Sequence, residues 1–215
     1  MSDTKAPKPA ATRDQILDVA QEAILAKGFG ATSIEELIAA VGISKSGFFY
    51  HFRDKGELAK ALLHRYIAED DEIFDQIFAR ADQLSEDPLH SFLIALKILA
   101  ETFSDLPNGH PGCIVASVCY HERLFSNEVL EINKRAVLGW RRRFKARLER
   151  IARIYPSRID VDLDSLADMF SGVTDGGIIL TRTLKDAGAL PKQIMLYRDF
   201  VRLMFSAPDG APAPK

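Results

Sequence analysis

The stretch Thr32-Ser-Ile-Glu-Glu-Leu-Ile-Ala-Ala-Val-Gly-Ile-Ser-Lys-Ser-Gly-Phe-Phe-Tyr-His-Phe-Arg-Asp-Lys55 decides the fold of this chain. Ser33 can cap a helix, with Glu36 three residues on, the reciprocal box that satisfies two orphan amide donors. Ile34, Leu37, Ile38 and Val41 recur at helical spacing and need a core to face. Gly42 ends that helix, because glycine adopts the left-handed C′ conformation at little steric cost. Ser44 caps a second, short helix that closes near Phe52. Two such helices joined by a tight turn form a helix-turn-helix, whose second helix enters the DNA major groove.

The second helix is divided in character. Phe48 and Phe52 lie four apart and point to the headpiece core. Lys45, Ser46, Gly47, Phe49, Tyr50 and His51 are left for the outward side and the helix start. One short helix cannot bury every ring, so something outside must meet Phe49, Tyr50 and His51. A helix with a glycine and few aliphatic residues is a poor strut, but it suits a face held close to a phosphate wall.

Gly42-Ile43-Ser44-Lys45, then Phe49-Tyr50-His51-Phe52, then Lys55 with Glu57-Leu58, form a specific combination of spacings. Over roughly residues 12 to 65 the chain resembles the TetR-type bacterial transcriptional repressors. The resemblance implies an all-α fold of about nine helices: a helix-turn-helix DNA-binding headpiece over 12–54 and a larger ligand-binding and dimerisation domain over 55–206. It implies a homodimer on a palindromic double-stranded DNA operator, released by a small-molecule effector. Carried over by position, Lys45 and Ser46 would contact bases or phosphates, Tyr50 and His51 phosphate or base edges, and Lys55 phosphate. Gly47, Phe49 and Ser33 complete that DNA face. Two departures stand out. Position 49 is often tyrosine in the family, and Phe49 has no hydroxyl to offer a phosphate; the glycine falls one place later, as Lys-Ser-Gly.

The 215 residues suffice for one large or two small domains, and 47% hydrophobic with 27% charged residues is ordinary for a globular protein. A net charge of −2 does not advertise a nucleic-acid binder, although a helix-turn-helix needs only a local basic cluster. No apolar run approaches the ~20 residues that span a bilayer, so no membrane is expected. The start lacks the apolar core of a signal peptide. Two cysteines without an export signal suggest thiols, not a disulfide, in a reducing cytoplasm.

Residues 1–11, with Lys5 and Lys8, read as a flexible tail, and 207–215 as another. Thr12 is expected to cap a helix that Gly28 stops, with Phe29 plugging the gap to the helix-turn-helix. Asp54 and Glu57 form a second capping box, opening a long helix from Lys55 towards Arg80. The acidic run Glu69 to Glu72 reads as a solvated face. Asp87-Pro88 starts a helix that stops before the turn-rich 107–112, a candidate gate beside a pocket. Cys113–Tyr120 resumes as helix, and Ser126 caps one running to about Ile154. The arginines at 141, 142, 143, 147, 150 and 153 read as a solvated face with local ion pairs.

Asp164–Asp186 and Pro191–Phe205 read as two final helices. Gly172, Gly176 and Gly177 should weaken the first by up to ~1 kcal/mol each, which suggests a backbone close to another helix. The resemblance places the dimer interface here, as a four-helix bundle from two chains, at Met169, Gly172, Val173, Gly176, Tyr197, Val201 and Met204. It also places the effector pocket among Phe74, Phe78, Phe92, Leu96, Phe103, Cys119, Tyr120, Trp140 and Phe144, whose aromatic lining favours a mostly apolar ligand.

No catalytic constellation is present, and neither an enzyme nor a cofactor is implied. Cys113 and Cys119 lie six apart, about 600° around a helix, which argues against a shared metal or internal disulfide. Small buried hydrophobes are the plainer account of both thiols than a metal site with His110 and His121. A thiol sensor at Cys113, at a helix N-terminus, is one alternative. The other is a lipid- or ligand-carrying module without DNA binding, against which Lys45, Tyr50, His51 and Lys55 together argue.

Overall fold

A computed structural model describes residues 9–205, and every regular element among them is helical. The order is α1 (Pro9–Ala31), α2 (Ile34–Val41), α3 (Lys45–His51), α4 (Lys55–Leu84), α5 (Pro88–Ser104), α6 (Ile114–Tyr120), a 3₁₀ turn (Glu122–Leu124), α7 (Asn127–Ala152), α8 (Leu163–Leu184) and α9 (Ala189–Phe205). The expected all-α class stands. Two compact units form: one holds the residues through 68 with 113–134, the other 69–112 with the residues from 135 on. The first unit thus reaches past residue 54 and takes in a distant segment. The expected tails at 1–8 and 207–215, with Lys5 and Lys8, lie outside the described residues.

In the first unit, α1 starts at Pro9 instead of Thr12, because proline's fixed φ suits a first helical turn. Residues 9–11 are therefore helix, not tail. Gly28 interrupts the helix as expected, its backbone non-helical at φ 84° and ψ 162°, and a further short helical piece continues α1 to Ala31. Ile16, Ala20 and Ile24 are buried, as are Leu37, Phe48, Leu58 and Leu62. Phe29 is fully enclosed and meets Phe125 edge to face at 4.9 Å. The His121 ring fills the notch at the kink, where a Cβ on Gly28 would come within 3.0 Å of it.

In the second unit, Phe74, Phe78, Phe92, Phe144 and Phe170 pack ring against ring, with Phe144 stacked on Phe170 at 4.0 Å. Arg142, Arg150 and Arg153 are exposed as expected, but Arg141, Arg143 and Arg147 do not form local pairs. Arg143 binds Asp71 at 2.8 Å and also Asp75, Arg147 binds Asp82 at 2.6 Å, and Arg141 binds Asp168 at 2.7 Å. They reach to α4 and α8, and Arg147 also lies 4.4 Å over the Phe78 ring. Consequently the solvated reading of the acidic run fails at Asp71. It fails at Asp70 as well, whose carboxyl is pushed up to about 7 by burial and then by Asp71 and Glu69.

The helices α8 and α9 touch closely at Gly177, where an added Cβ would lie 2.7 Å from Leu190 Cδ1 and 3.0 Å from Leu190 Cα. That bears out the expected close approach for one glycine. Above Gly172 and Gly176 there is nothing within 4 Å. Burial alone pushes His110, in the 107–112 turn, down to about 4, so its ring is neutral at pH 7.

Candidate nucleic-acid interface

Local caps build the headpiece. Ser33 Oγ accepts the Glu36 amide at 3.1 Å, and Ser44 Oγ accepts the Gly47 amide at 3.0 Å. Gly42, at φ 75°, donates its N–H to the Ile38 carbonyl at 3.0 Å and turns the chain between the helices. The expected boxes are one-sided, however. The Glu36 carboxylate binds Lys27 at 2.5 Å, and Glu57 pairs with Arg53 and Lys60.

On α3, Phe48 and Phe52 are buried, which fixes the roll of the helix. Lys45, Ser46, Phe49 and Tyr50 are then exposed, Tyr50 by 76%, and His51 sits edge-on to Tyr50 at 5.0 Å. Gly47 turns aside beside Ser44, and Ser33 is exposed at the start of α2. Lys45 Nζ lies 3.8 Å from Glu35 Oε1, a solvent-screened pair that a phosphate could displace. Arg53, 77% exposed and in loose ion pairs with Asp54 and Glu57, is a further cation that sequence reasoning passed over. Its place inside the motif was the available signal.

Lys55 stands apart from its expected role. Its ammonium donates to the Phe29 carbonyl and to the Thr32 carbonyl at 2.5 Å, and burial lowers its pKa. Two of its three protons are thus engaged at the end of α1. Lys55→Ala is therefore expected to destabilise the headpiece by ~1–3 kcal/mol, because both bonds are lost and only the Phe29 carbonyl keeps another donor, the Thr32 amide at 3.3 Å. A denaturation midpoint equal to the parent's would leave Lys55 with phosphate contact alone.

Residues 16–62 match the family model described as bacterial regulatory proteins, tetR family. Across nearly its whole length the chain is similar to a probable HTH-type transcriptional regulator, ArpR, of Pseudomonas putida: 26% identical over 200 residues, covering 89% of this chain and 92% of that protein. The family match covers the headpiece segment, where the chain resembles the TetR-type transcriptional regulators. TtgR of Pseudomonas putida, another HTH-type regulator, is 24% identical over 200 residues, with 89% and 92% covered. The fold matches a TetR-family regulator from Agrobacterium tumefaciens with a TM-score of 0.74 at 20% identity, over 93% of this chain and 100% of that one.

The residues assigned to the pocket divide. Phe78, Phe92, Leu96 and Phe144 are closed core, Phe74 stacks on Phe78 and meets Phe144 edge to face, and Phe103 packs edge-on to His110. Trp140 keeps a buried indole N–H with no acceptor among the described residues. Cys119 and Tyr120 belong to the first unit and are exposed. A cavity of about 390 Å³ opens at Pro107, Asn108, Thr181, Arg182, Lys185 and Ala187; the first two belong to the turn-rich segment expected beside a pocket, and the other four were not foreseen.

The dimer assignment needs correcting on α9. Met169, Gly172, Val173 and Gly176 do lie on the open side of α8. Tyr197, Val201 and Met204 are instead buried in the subunit's own core, with the Tyr197 hydroxyl donating to the Leu166 carbonyl at 3.0 Å. Leu196, Phe200 and Leu203 occupy the outer side of α9 in their place.

Neither cysteine is in a disulfide. Cys113 caps α6, its sulfur accepting the Ala116 amide at 3.3 Å, and Cys119 accepts from Asn133 Nδ2 at 3.3 Å. Among the described residues no three His, Cys, Asp or Glu side chains converge as a metal site, and no helix is long and apolar enough to cross a membrane.

Proposed function

We propose that the chain represses transcription as a homodimer, setting two copies of α3 into successive major grooves of a palindromic operator about one helical turn apart. The observation that carries this is the division of α3: its inner rings are buried, and Lys45, Ser46 and Tyr50 stand outward on a capped, rigid turn. Lys45 and Ser46 address base edges or phosphates, Tyr50 and His51 phosphate or base edges, and Ser33 and Arg53 the flanking phosphates. A small, mostly apolar effector binds the conformation whose headpieces are wrongly spaced, with a coupling of ~1–3 kcal/mol.

The test is binding of fluorescent duplexes, selected from a random pool, across a salt series. Lys45→Ala and His51→Ala should each weaken the selected duplex by ~1–3 kcal/mol and broaden sequence preference. Tyr50→Ala should lower affinity for all sequences alike. Parental affinity in all three variants would remove the site.

A further inference from the structure

We infer that Phe49 reads the C5-methyl group of a thymine, so that each operator half-site carries a thymine facing this ring; the inference rests on the DNA-binding reading above. Four side chains stand outward on α3. Lys45 brings an ammonium, Ser46 a hydroxyl and Tyr50 a phenol, each able to bond a phosphate or a base edge. Phe49 brings a ring with no donor and no acceptor, yet it is 41% exposed in the midst of that polar face. One side of it is anchored, because it meets the buried Phe48 ring edge to face at 5.5 Å. The Ser44 cap and the buried Phe48 and Phe52 hold the helix that carries it, so the outer edge of Phe49 is presented in a fixed direction.

The major groove offers nitrogen and oxygen atoms on every base pair, and one apolar group, the thymine methyl. A phenyl ring pressed on a polar base edge or a phosphate strips water without returning a hydrogen bond, which is unfavourable. Against a methyl group the same ring removes apolar surface from water on both sides. The family's usual tyrosine could spend its hydroxyl on a phosphate. Phenylalanine at position 49 cannot, and its chemistry selects the base instead. This makes Phe49 a specificity residue where the resemblance supplied only a missing hydroxyl.

The experiment uses the full chain and the duplex it enriches from a random pool. Each thymine in turn is replaced by deoxyuridine, which lacks only the methyl group, and affinity is measured by fluorescence anisotropy. One thymine per half-site should show a loss of about fourfold, the effect of one methyl group, and the others none. In Phe49→Ala the same replacement should leave affinity unchanged, while Phe49→Leu, still apolar, should keep the dependence. Each comparison is a ratio within one variant, so incomplete folding cancels. The inference is overturned if no thymine responds, or if the response survives in Phe49→Ala. Failure to enrich any duplex overturns the DNA-binding reading and this inference with it; enrichment with indifference to the methyl overturns this inference alone.

Discussion

Replacing Leu203 with glutamate is expected to turn a dimer into a monomer and lower operator affinity by about 10²- to 10⁴-fold, the loss when two tethered sites become one. Leu203 is 59% exposed on α9, in line with Leu196 and Phe200 at helical spacing. On α8 the matching stripe is Met169, Gly172, Val173, Gly176 and Leu180, with Met169 and Leu180 exposed and open space above both glycines. On the homodimer reading proposed above, these two stripes form the subunit interface. A carboxylate at its centre would be desolvated without a partner on association, but fully hydrated in the separated subunit. Subunit stability should therefore shift by no more than ~0.5 kcal/mol. Ile159→Glu is the control, equally exposed but outside either helix, and it should leave the dimer intact. Sedimentation and operator titration decide the matter: a Leu203→Glu dimer, or a monomer with parental affinity, rejects the interface.

Two adjacent glycines should respond to alanine with opposite signs. Gly177→Ala sets a Cβ 3.0 Å from the Leu190 backbone, which no rotamer change relieves. Overpacking of this kind typically costs ~1–3 kcal/mol, and at roughly 2–4 °C per kcal/mol the Tm should fall visibly. Gly176→Ala meets nothing within 4 Å and gains up to ~1 kcal/mol of helix propensity. Measured in the Leu203→Glu background, where no second subunit intervenes, the first variant should melt lower than its parent and the second higher. Equal shifts would mean that α8 and α9 are not in close register at Gly177.

What sequence reasoning could reach was set by range. The caps at Ser33, Gly42, Ser44 and Asp87 were legible because each is satisfied within a few residues, and all four are present. The partners of Arg143 and Arg147 lie 65 to 72 positions away, so their ion pairs read as local when they cross between helices. On α9 the apolar residues surround the helix, and periodicity could not tell the buried Tyr197 from the open Leu196. Lys55 was legible as a cation at the right spacing, but not as the clamp on Phe29 and Thr32. Pocket and core were not separable in the sequence, since an aromatic that closes a core and one that lines a cavity have the same spacing.

The imidazole seated in the α1 notch behaves as a key in a keyway. His121 is held by Ser117 at one end and meets Gly28 and Gly30 at the other, so the tail of α6 has no slack against α1. The last turn of α1 supplies the Phe29 carbonyl that grips Lys55, and Lys55 opens α4 directly behind the groove-facing helix. One ring thus ties the end of α6 to the last turn of α1, and that turn in turn holds the first residue of α4.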